Sequence, residues 1–251
     1  MMPLSLGEGA GTGPMLDSGG VPAPPRGPRP EGPSDRTPDP LHLESLSQST
    51  PAQDAPRALA DLVRSTPGAQ VLGDPAVGVR AVTYRSNEVR PGSLFFAVPG
   101  THVDGHDFAE AAEQAGAVAV VVERRQPVEC VQVVVPSVRA AMGPISAEFH
   151  GRPADRMTVV GVTGTNGKTT TTYLLESVFR AAGSVPGVIG TTGVRIDGRP
   201  EPFARTTPEA PDLHALFARM LADGVEAVAM EVSSHGLDQH RVGGVRFACG
   251  V

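Results

Sequence analysis

The stretch Gly161-Val-Thr-Gly-Thr-Asn-Gly-Lys-Thr-Thr170 constrains this chain more than any other. It follows the apolar run Met157-Thr-Val-Val160, which reads as a buried strand. It precedes Tyr173, Leu174, Leu175, Val178 and Phe179, spaced as the apolar face of a helix that ends before Gly183. A Gly-rich turn from strand into helix offers backbone N–H groups and the positive end of the helix to an anion. The strict phosphate-loop pattern asks for glycine at position 162, where this chain has Val162. What remains is Gly164, Gly167, Lys168 and Thr169 in the right order, flanked by Thr165, Asn166 and Thr170. Lys168 can reach terminal phosphates, and the Thr169 hydroxyl can ligate Mg²⁺. The alternative is an ordinary Gly-rich turn, and the strand and helix on either side weigh against it.

The rest of the chain supplies a parallel sheet around this turn. Val185 to Gly190 reads as the next strand. Pro211 opens a helix whose Leu213, Leu216, Phe217, Met220 and Leu221 share one face. Val225 to Met230 is a strand that delivers Glu231 to its C-terminal end, where ligands of open α/β sheets bind. A carboxylate there suits a Mg²⁺-linked role. Phe247 to Val251 reads as the start of a further central strand.

A second α/β pattern occupies residues 57–155. Leu59, Leu62 and Val63 mark a helix face. Val82 to Tyr84 and Ser93 to Val98 are strands separated by Pro91-Gly92. Asp107 is the expected cap of a helix with apolar Phe108, Ala111, Ala112 and Ala115, ended by Gly116. Ala117 to Val122 and Val131 to Val135 are continuous apolar strands, as in sheets covered on both faces. A last helix is expected to start near Pro144, because proline suits a first turn. Residues 1–55 are rich in Pro and Gly and poor in large apolar side chains, so they are expected to be a disordered tail.

Charge and cysteine content exclude several classes. The net charge is −6, with no Lys/Arg block, so no nucleic-acid partner is expected. No apolar run approaches the about 20 residues needed to span a bilayer, and the N-terminus has no signal-peptide order. Cys130 and Cys249 lie in apolar surroundings and read as two buried thiols of a cytoplasmic protein. No Asn-Lys-x-Asp motif is present, which points away from GTPases.

Four stretches carry a resemblance to a known family. They are Val159 to Thr171, Gly190-Thr-Thr-Gly193, Thr206-Thr-Pro-Glu209, and Met230-Glu-Val-Ser-Ser-His-Gly-Leu-Asp-Gln-His-Arg241. Together they resemble the Mur ligases, and the last resembles the branch that adds a third amino acid to UDP-N-acetylmuramoyl-L-alanyl-D-glutamate. Pro91 to Gly100 and Asp104-Gly-His106 resemble that family's uridine-nucleotide domain. The resemblance spans residues 57–251. It implies an α/β fold: a small uridine-nucleotide-binding domain over 57–155, then an incomplete P-loop-type parallel-sheet ATPase domain over 157–251. It implies an ATP-dependent ligase of peptidoglycan biosynthesis that works through an acyl phosphate, with ATP and Mg²⁺ as cofactors. The partners would be the UDP-muramyl dipeptide and a diamino acid, diaminopimelate or lysine, with no membrane or nucleic acid, on a monomer.

Carried over by position, Gly164 to Thr170 would hold ATP phosphates. Lys168 and Glu231 would serve catalysis, and Thr169 and Glu231 would place Mg²⁺. Tyr84, Ser86, Thr101, His102 and Val103 would contact the uridine and sugar. Thr206, Thr207, Ser233, Gln239 and Arg241 would hold the pyrophosphate and peptide end, since hydroxyls and an Arg suit such oxygens. His235 and His240 read as structural histidines. Two features depart from the pattern. Where the family has Asp-Ser-Arg, this chain has Arg85-Ser86-Asn87, and Arg205 stands at a variable position. The family also continues beyond the point corresponding to Val251 with a carbamylated lysine and an amino-acid-binding domain, so the chain is expected to be an N-terminal fragment without turnover of its own. A UDP-muramyl-peptide-binding module without chemistry, or a sister ligase for folate or for the final dipeptide, are the competing readings.

Overall fold

Parallel strands in the first half are apolar at nearly every position, and both faces of their sheet are covered accordingly. The computed structural model describes residues 55–100, 103–201 and 207–251, which fall within one compact unit. The first half runs β1 (Arg57–Ala58), α1 (Leu59–Val63), β2 (Gln70–Leu72), β3 (Gly78–Val79), β4 (Ala81–Thr83), β5 (Ser93–Phe96), α2 (Ala109–Gln114), β6 (Ala117–Val122), β7 (Val131–Val134) and α3 (Val138–Phe149). Its main sheet has the order β2-β7-β6-β5-β4, parallel except for the edge strand β2. Leu94, Phe96, Ala119 and Val121 face α1 and α3, while Phe95, Val120 and Val122 face α2. This period-2 division of one apolar run is what two covered faces require.

Two helix expectations are corrected here. α3 starts at Val138, not near Pro144, and Pro144 lies inside it. Ser137 accepts from Ala140 N and caps the true start, and Val138, Ala141, Met142, Ile145 and Phe149 are buried. Burial of that face outweighs the loss of one helical N–H at Pro144. Asp107 caps nothing. Asp104 accepts from His106 N and starts a 3-10 turn, Gly105–Phe108, that leads into α2. α2 therefore buries Ala109 and Ala112, and Phe108, Ala111 and Ala115 are exposed.

The second half runs β8 (Thr158–Val162), α4 (Lys168–Ala181), β9 (Pro186–Gly190), β10 (Gly193–Ile196), β11 (Arg199–Glu201), α5 (Ala210–Ala222), β12 (Ala227–Glu231), α6 (Ser234–Asp238) and β13 (Cys249–Gly250). The sheet order is β11-β10-β9-β12-β8-β13, with β9, β12, β8 and β13 parallel and β10 and β11 antiparallel. The strand expected over Phe247 to Val251 is thus β13, beside β8. On one face Val159, Ile189, Val228 and Met230 meet Leu213, Leu216, Phe217 and Met220 of α5. α4 covers the other face, and there the expected apolar stripe fails. α4 buries Thr172 and Glu176, while Leu174 and Val178 are 62% and 59% exposed. Glu176 is anchored by Arg195 Nε of β10 at 3.3 Å and by Arg180 at 3.4 Å. The strand residues beneath α4 include Ala227 and Ala229, small enough to seat a threonine and a paired carboxylate. The thiol expectation also fails in part, since Cys249 is exposed and Cys130 half-buried.

The two halves meet through α3 and α5. A Cβ on Gly143 of α3 would lie 2.3 Å from the carbonyl oxygen of Gly243, so only glycine permits this approach. Among the described residues no helix is long and apolar enough to cross a membrane.

Candidate functional site

Strand alternation decides where Glu231 points. Ala227, Ala229 and Glu231 of β12 lie on the α4 face, opposite Val228 and Met230, which face α5. Parallel register pairs Glu231 with Val162, the last residue of β8 before the Gly-rich turn. The carboxyl group therefore lies beside the start of α4. It is 1% exposed and accepts three hydrogen bonds. Thr169 Oγ1 donates to Oε1 at 2.8 Å, Thr191 N to Oε1 at 3.1 Å, and Thr191 Oγ1 to Oε2 at 2.8 Å. Thr191 reaches it from the two-residue turn between β9 and β10. Gly190 ahead of that turn has no room for a side chain, because a Cβ would lie 2.4 Å from Glu231 Oε1.

The turn from β8 into α4 is exposed from Thr163 to Gly167. Gly164 has φ +133° and Gly167 has φ +83°, and a Cβ on either would meet nothing closer than 3.8 Å. Backbone conformation, not crowding, calls for glycine there, and the open side leaves room for a ligand. Helical bonding begins with Thr171 N donating to Gly167 O at 2.9 Å. The N–H groups of Lys168, Thr169 and Thr170 precede it and are those a helix start leaves free for an anion. Lys168 Nζ spans the loop and donates to Gly164 O at 2.7 Å.

Beyond β12, Ser233 accepts from Gly236 N at 3.0 Å and caps α6. Thr207 Oγ1 donates to the Glu231 carbonyl at 3.3 Å and accepts from Ser233 N at 3.3 Å. Arg241 donates to Thr207 O at 3.1 Å and to Gln239 Oε1, and pairs with buried Glu209 at 3.1 Å. Glu209 in turn pairs with Arg139 of α3 at 3.6 Å.

A cavity of about 390 Å³ lies at the C-terminal end of the first sheet, lined by Tyr84, Ser86, Asn87, Val103, Phe108 and, from the second half, Glu209. Burial, then the Asp212 carboxylate, holds the Tyr84 hydroxyl far above its ordinary pKa. Behind the cavity, Asp104 accepts from His106 Nδ1 at 2.7 Å while Glu123 N donates to His106 Nε2 at 2.9 Å. That pair of bonds sets the neutral Nδ1–H tautomer of a fully buried ring.

Two family models match the chain. The Mur ligase middle domain covers residues 162–251, and the Mur ligase family catalytic domain covers residues 78–152.

The chain belongs to the Mur ligase family.

Among its relatives, the UDP-N-acetylmuramoyl-L-alanyl-D-glutamate--2,6-diaminopimelate ligase of Geobacillus thermodenitrificans is 48% identical over 189 residues, which is 75% of this chain and 39% of that protein. The ligase of the same name from Corynebacterium glutamicum is 48% identical over 166 residues, 62% of this chain and 31% of that one. A solved structure of a ligase of this name matches with TM-score 0.66 at 27% identity, over 78% of this chain and 39% of the other. The chain thus spans about two fifths of the length of the relatives it matches. A D-alanyl-D-alanyl-adding ligase from Acinetobacter baumannii shares the fold, with TM-score 0.53 at 21% identity, over 74% of this chain and 38% of that one.

Within this Mur ligase framework the residues singled out in the sequence fall into two groups. Gly164 to Thr170 and Glu231 converge at the C-terminal ends of β8 and β12, with Thr207 and Ser233 beside Glu231. Tyr84, Ser86 and Val103 line the cavity, and Gln239 and Arg241 join it through Glu209. Thr101, His102, Arg205, Thr206 and residues 1–54 lie outside the described residues. His235 and His240 are exposed, so neither is a core histidine. Sequence reasoning missed Thr191, Glu209, Arg139 and Asp212. Thr191 was findable, since it sits between Gly190 and Gly193; the charged residues act only through contacts distant in sequence. The altered Arg85 has a visible use: its guanidinium pairs with Asp212 of α5 at 2.7 Å and with Glu88 at 3.2 Å. Nothing in the structure explains asparagine at position 87.

Proposed function

We propose that this chain forms the acceptor- and nucleotide-binding part of an ATP-dependent ligase that adds diaminopimelate to UDP-N-acetylmuramoyl-L-alanyl-D-glutamate. Residues 57–155 would bind the uridine end and residues 157–251 the nucleotide. The observation that carries the reading is the Thr169–Glu231 bond at 2.8 Å, one residue after Lys168 at the mouth of the Gly-rich turn. The relatives, which are 2,6-diaminopimelate ligases by name, favour diaminopimelate over lysine as the third residue.

In the proposed reaction the D-glutamyl γ-carboxylate attacks the γ-phosphorus of ATP, and ADP leaves. The incoming amine then adds to the acyl carbon of the acyl phosphate, loses a proton, and expels phosphate to leave an amide. The protein's share is positioning and charge neutralisation. Lys168 and the N–H groups at the start of α4 hold the phosphates. Thr207 and Arg241, tied to Glu231 and Glu209, define the path toward the acceptor. Mg²⁺ fits the hydroxyl and carboxylate oxygens of Thr169 and Glu231, hard ligands that leave the remaining positions to phosphates and water. When bound it supplies charge neutralisation at the phosphates. Only small-molecule partners are proposed, on a cytoplasmic monomer.

Calorimetric titration tests the acceptor. UDP-N-acetylmuramoyl-L-alanyl-D-glutamate is expected to bind at least tenfold more tightly than UDP-N-acetylmuramoyl-L-alanine. Equal affinity for the two would contradict the assignment to this branch. The binding-module reading predicts the same preference with no affinity for ATP.

A further inference from the structure

The cavity wall is assembled from both halves of the chain, and one side-chain cluster joins them beside it. Tyr84 and Arg85 follow β4, while Asp212 lies in the first turn of α5. Tyr84 Oη donates to Asp212 Oδ2 at 2.8 Å. Arg85 grips the same carboxylate with two nitrogens, Nη2 to Oδ2 at 2.7 Å and Nη1 to Oδ1 at 3.2 Å. The guanidinium also lies over the Tyr84 ring, 4.4 Å from its centroid, and contacts the Tyr84 hydroxyl. Glu88 closes the other side of Arg85 at 3.2 Å. A forked pair with a third donor and a stacked ring is the geometry in which a half-exposed ion pair holds its partners in place, unlike a lone surface pair.

The segment so held carries the cavity's polar groups. Arg85 itself lines the cavity, as do Ser86 and Asn87 after it and Glu209 ahead of α5; Asp212 does not line it. The segment itself is a single 3-10 turn with few bonds of its own: Arg85 N to Thr83 Oγ1, Glu88 N to Arg85 O and Val89 N to Ser86 O. A short turn of this kind opens easily unless something outside it holds it.

We propose that Arg85 and Asp212 form a latch across the two halves of the chain, and that it fixes the Tyr84–Asn87 turn against α5 and so sets the shape of the cavity. Asp212, outside the cavity, is a positioning residue; Arg85 also lines the cavity wall. The identity of the cavity's ligand rests on the acceptor reading above; the latch itself does not.

Hydrogen exchange tests the latch without any ligand. In Asp212→Asn, amide exchange at Arg85, Glu88 and Val89 is expected to rise at least tenfold, with β5 and β6 unchanged. Asp212→Glu, which keeps the charge, is expected to stay within threefold of the parent. In a double-mutant cycle, Arg85→Gln combined with Asp212→Asn is expected to be no faster than either single variant. Unchanged exchange in Asp212→Asn, or additive effects in the double variant, overturns the latch. Titration with UDP-N-acetylmuramoyl-L-alanyl-D-glutamate then reads its consequence. Binding by the parent and a tenfold loss in Asp212→Asn supports the positioning role, and an affinity within twofold of the parent overturns it. No binding by the parent removes the acceptor reading and leaves the latch to be judged on exchange alone.

Discussion

Glu231→Ala is expected to destabilise the chain and to abolish Mg²⁺-dependent nucleotide binding together. The carboxyl group is 1% exposed and receives Thr169 Oγ1, Thr191 N and Thr191 Oγ1. Removing it takes the acceptor from three donors, but Thr191 is exposed and Thr169 half-buried, so water can replace it. At a net worth of about 0.5–1.5 kcal/mol per hydrogen bond, with relief from burying a carboxylate offsetting part of that, a loss of roughly 2 kcal/mol is expected. Denaturant unfolding measures it. Glu231→Gln separates the two effects. It keeps an acceptor for Thr169 and the Thr191 amide, and the Thr191 hydroxyl can turn to accept from the new amide. It should therefore retain most of the stability while losing the charge that draws a cation. A glutamine variant with undiminished Mg²⁺-dependent affinity would sink the proposed role of this side chain. One in which stability collapses as in alanine would show that charge, not hydrogen bonding, holds the site together.

Acid is expected to loosen the junction between α3 and α5. His150 closes α3 with its Nε2 buried, and His214 lies fully buried within α5. His214 Nε2 donates to Gly243 O at 2.9 Å. Among the described residues, His214 Nδ1 and His150 Nε2 are buried without hydrogen-bond partners. Burial first, then His214 and Arg57, pushes His150 down to about 3. Burial first, then Arg152, pushes His214 down to about 4, against the raising effects of the Gly243 bond and Asp155. Both pKa values are depressed relative to the unfolded chain, near 6.5. The unfolded state therefore binds more protons below that pH, and stability is full above it. Stability is lost as pH falls from about 6.5 toward the folded values. Each tenfold separation is worth about 1.4 kcal/mol, so the two rings together place several kcal/mol in this window. Denaturant unfolding at pH 7, 5.5 and 4.5 should show a steep fall. The fall should be flatter in His150→Phe/His214→Gln, where phenylalanine keeps the ring packed on Phe149 and glutamine keeps the donor to Gly243. Parallel curves for parent and variant would mean that carboxylates such as Glu148 carry the acid response instead.

These two cases also show what the amino-acid order reveals and what it hides. Glu231 was legible because a strand alternates strictly: once β12 is recognised, its last residue must fall beside the Gly-rich turn. β5, β6, β8 and α5 were legible for the same reason, since their periodicity is set by burial. α4 was misread because its buried face rests on Ala227 and Ala229, where Thr172 and the paired Glu176 fit and large apolar residues are not needed. The start of α3 was misread because Ser137 and a buried face override the usual meaning of Pro144. The Arg85–Asp212 pair had no local signal at all: its partners lie 127 residues apart and meet only when the two halves pack. The histidine pair was invisible for the same reason.

The central claim is that Gly164 to Thr170 cradles a nucleotide's phosphates, with Lys168 as the fixed positive charge. Calorimetric titration of residues 1–251 with Mg²⁺ and a non-hydrolysable ATP analogue tests it most directly, on the parent and on Lys168→Ala. Lys168 is on the rim of the loop and, among the described residues, donates to Gly164 O in an exposed bond, so the variant should fold as the parent does. The account predicts saturable binding by the parent and at least a hundredfold loss in Lys168→Ala. Equal affinity in the two proteins, or no binding by a folded parent, would contradict it.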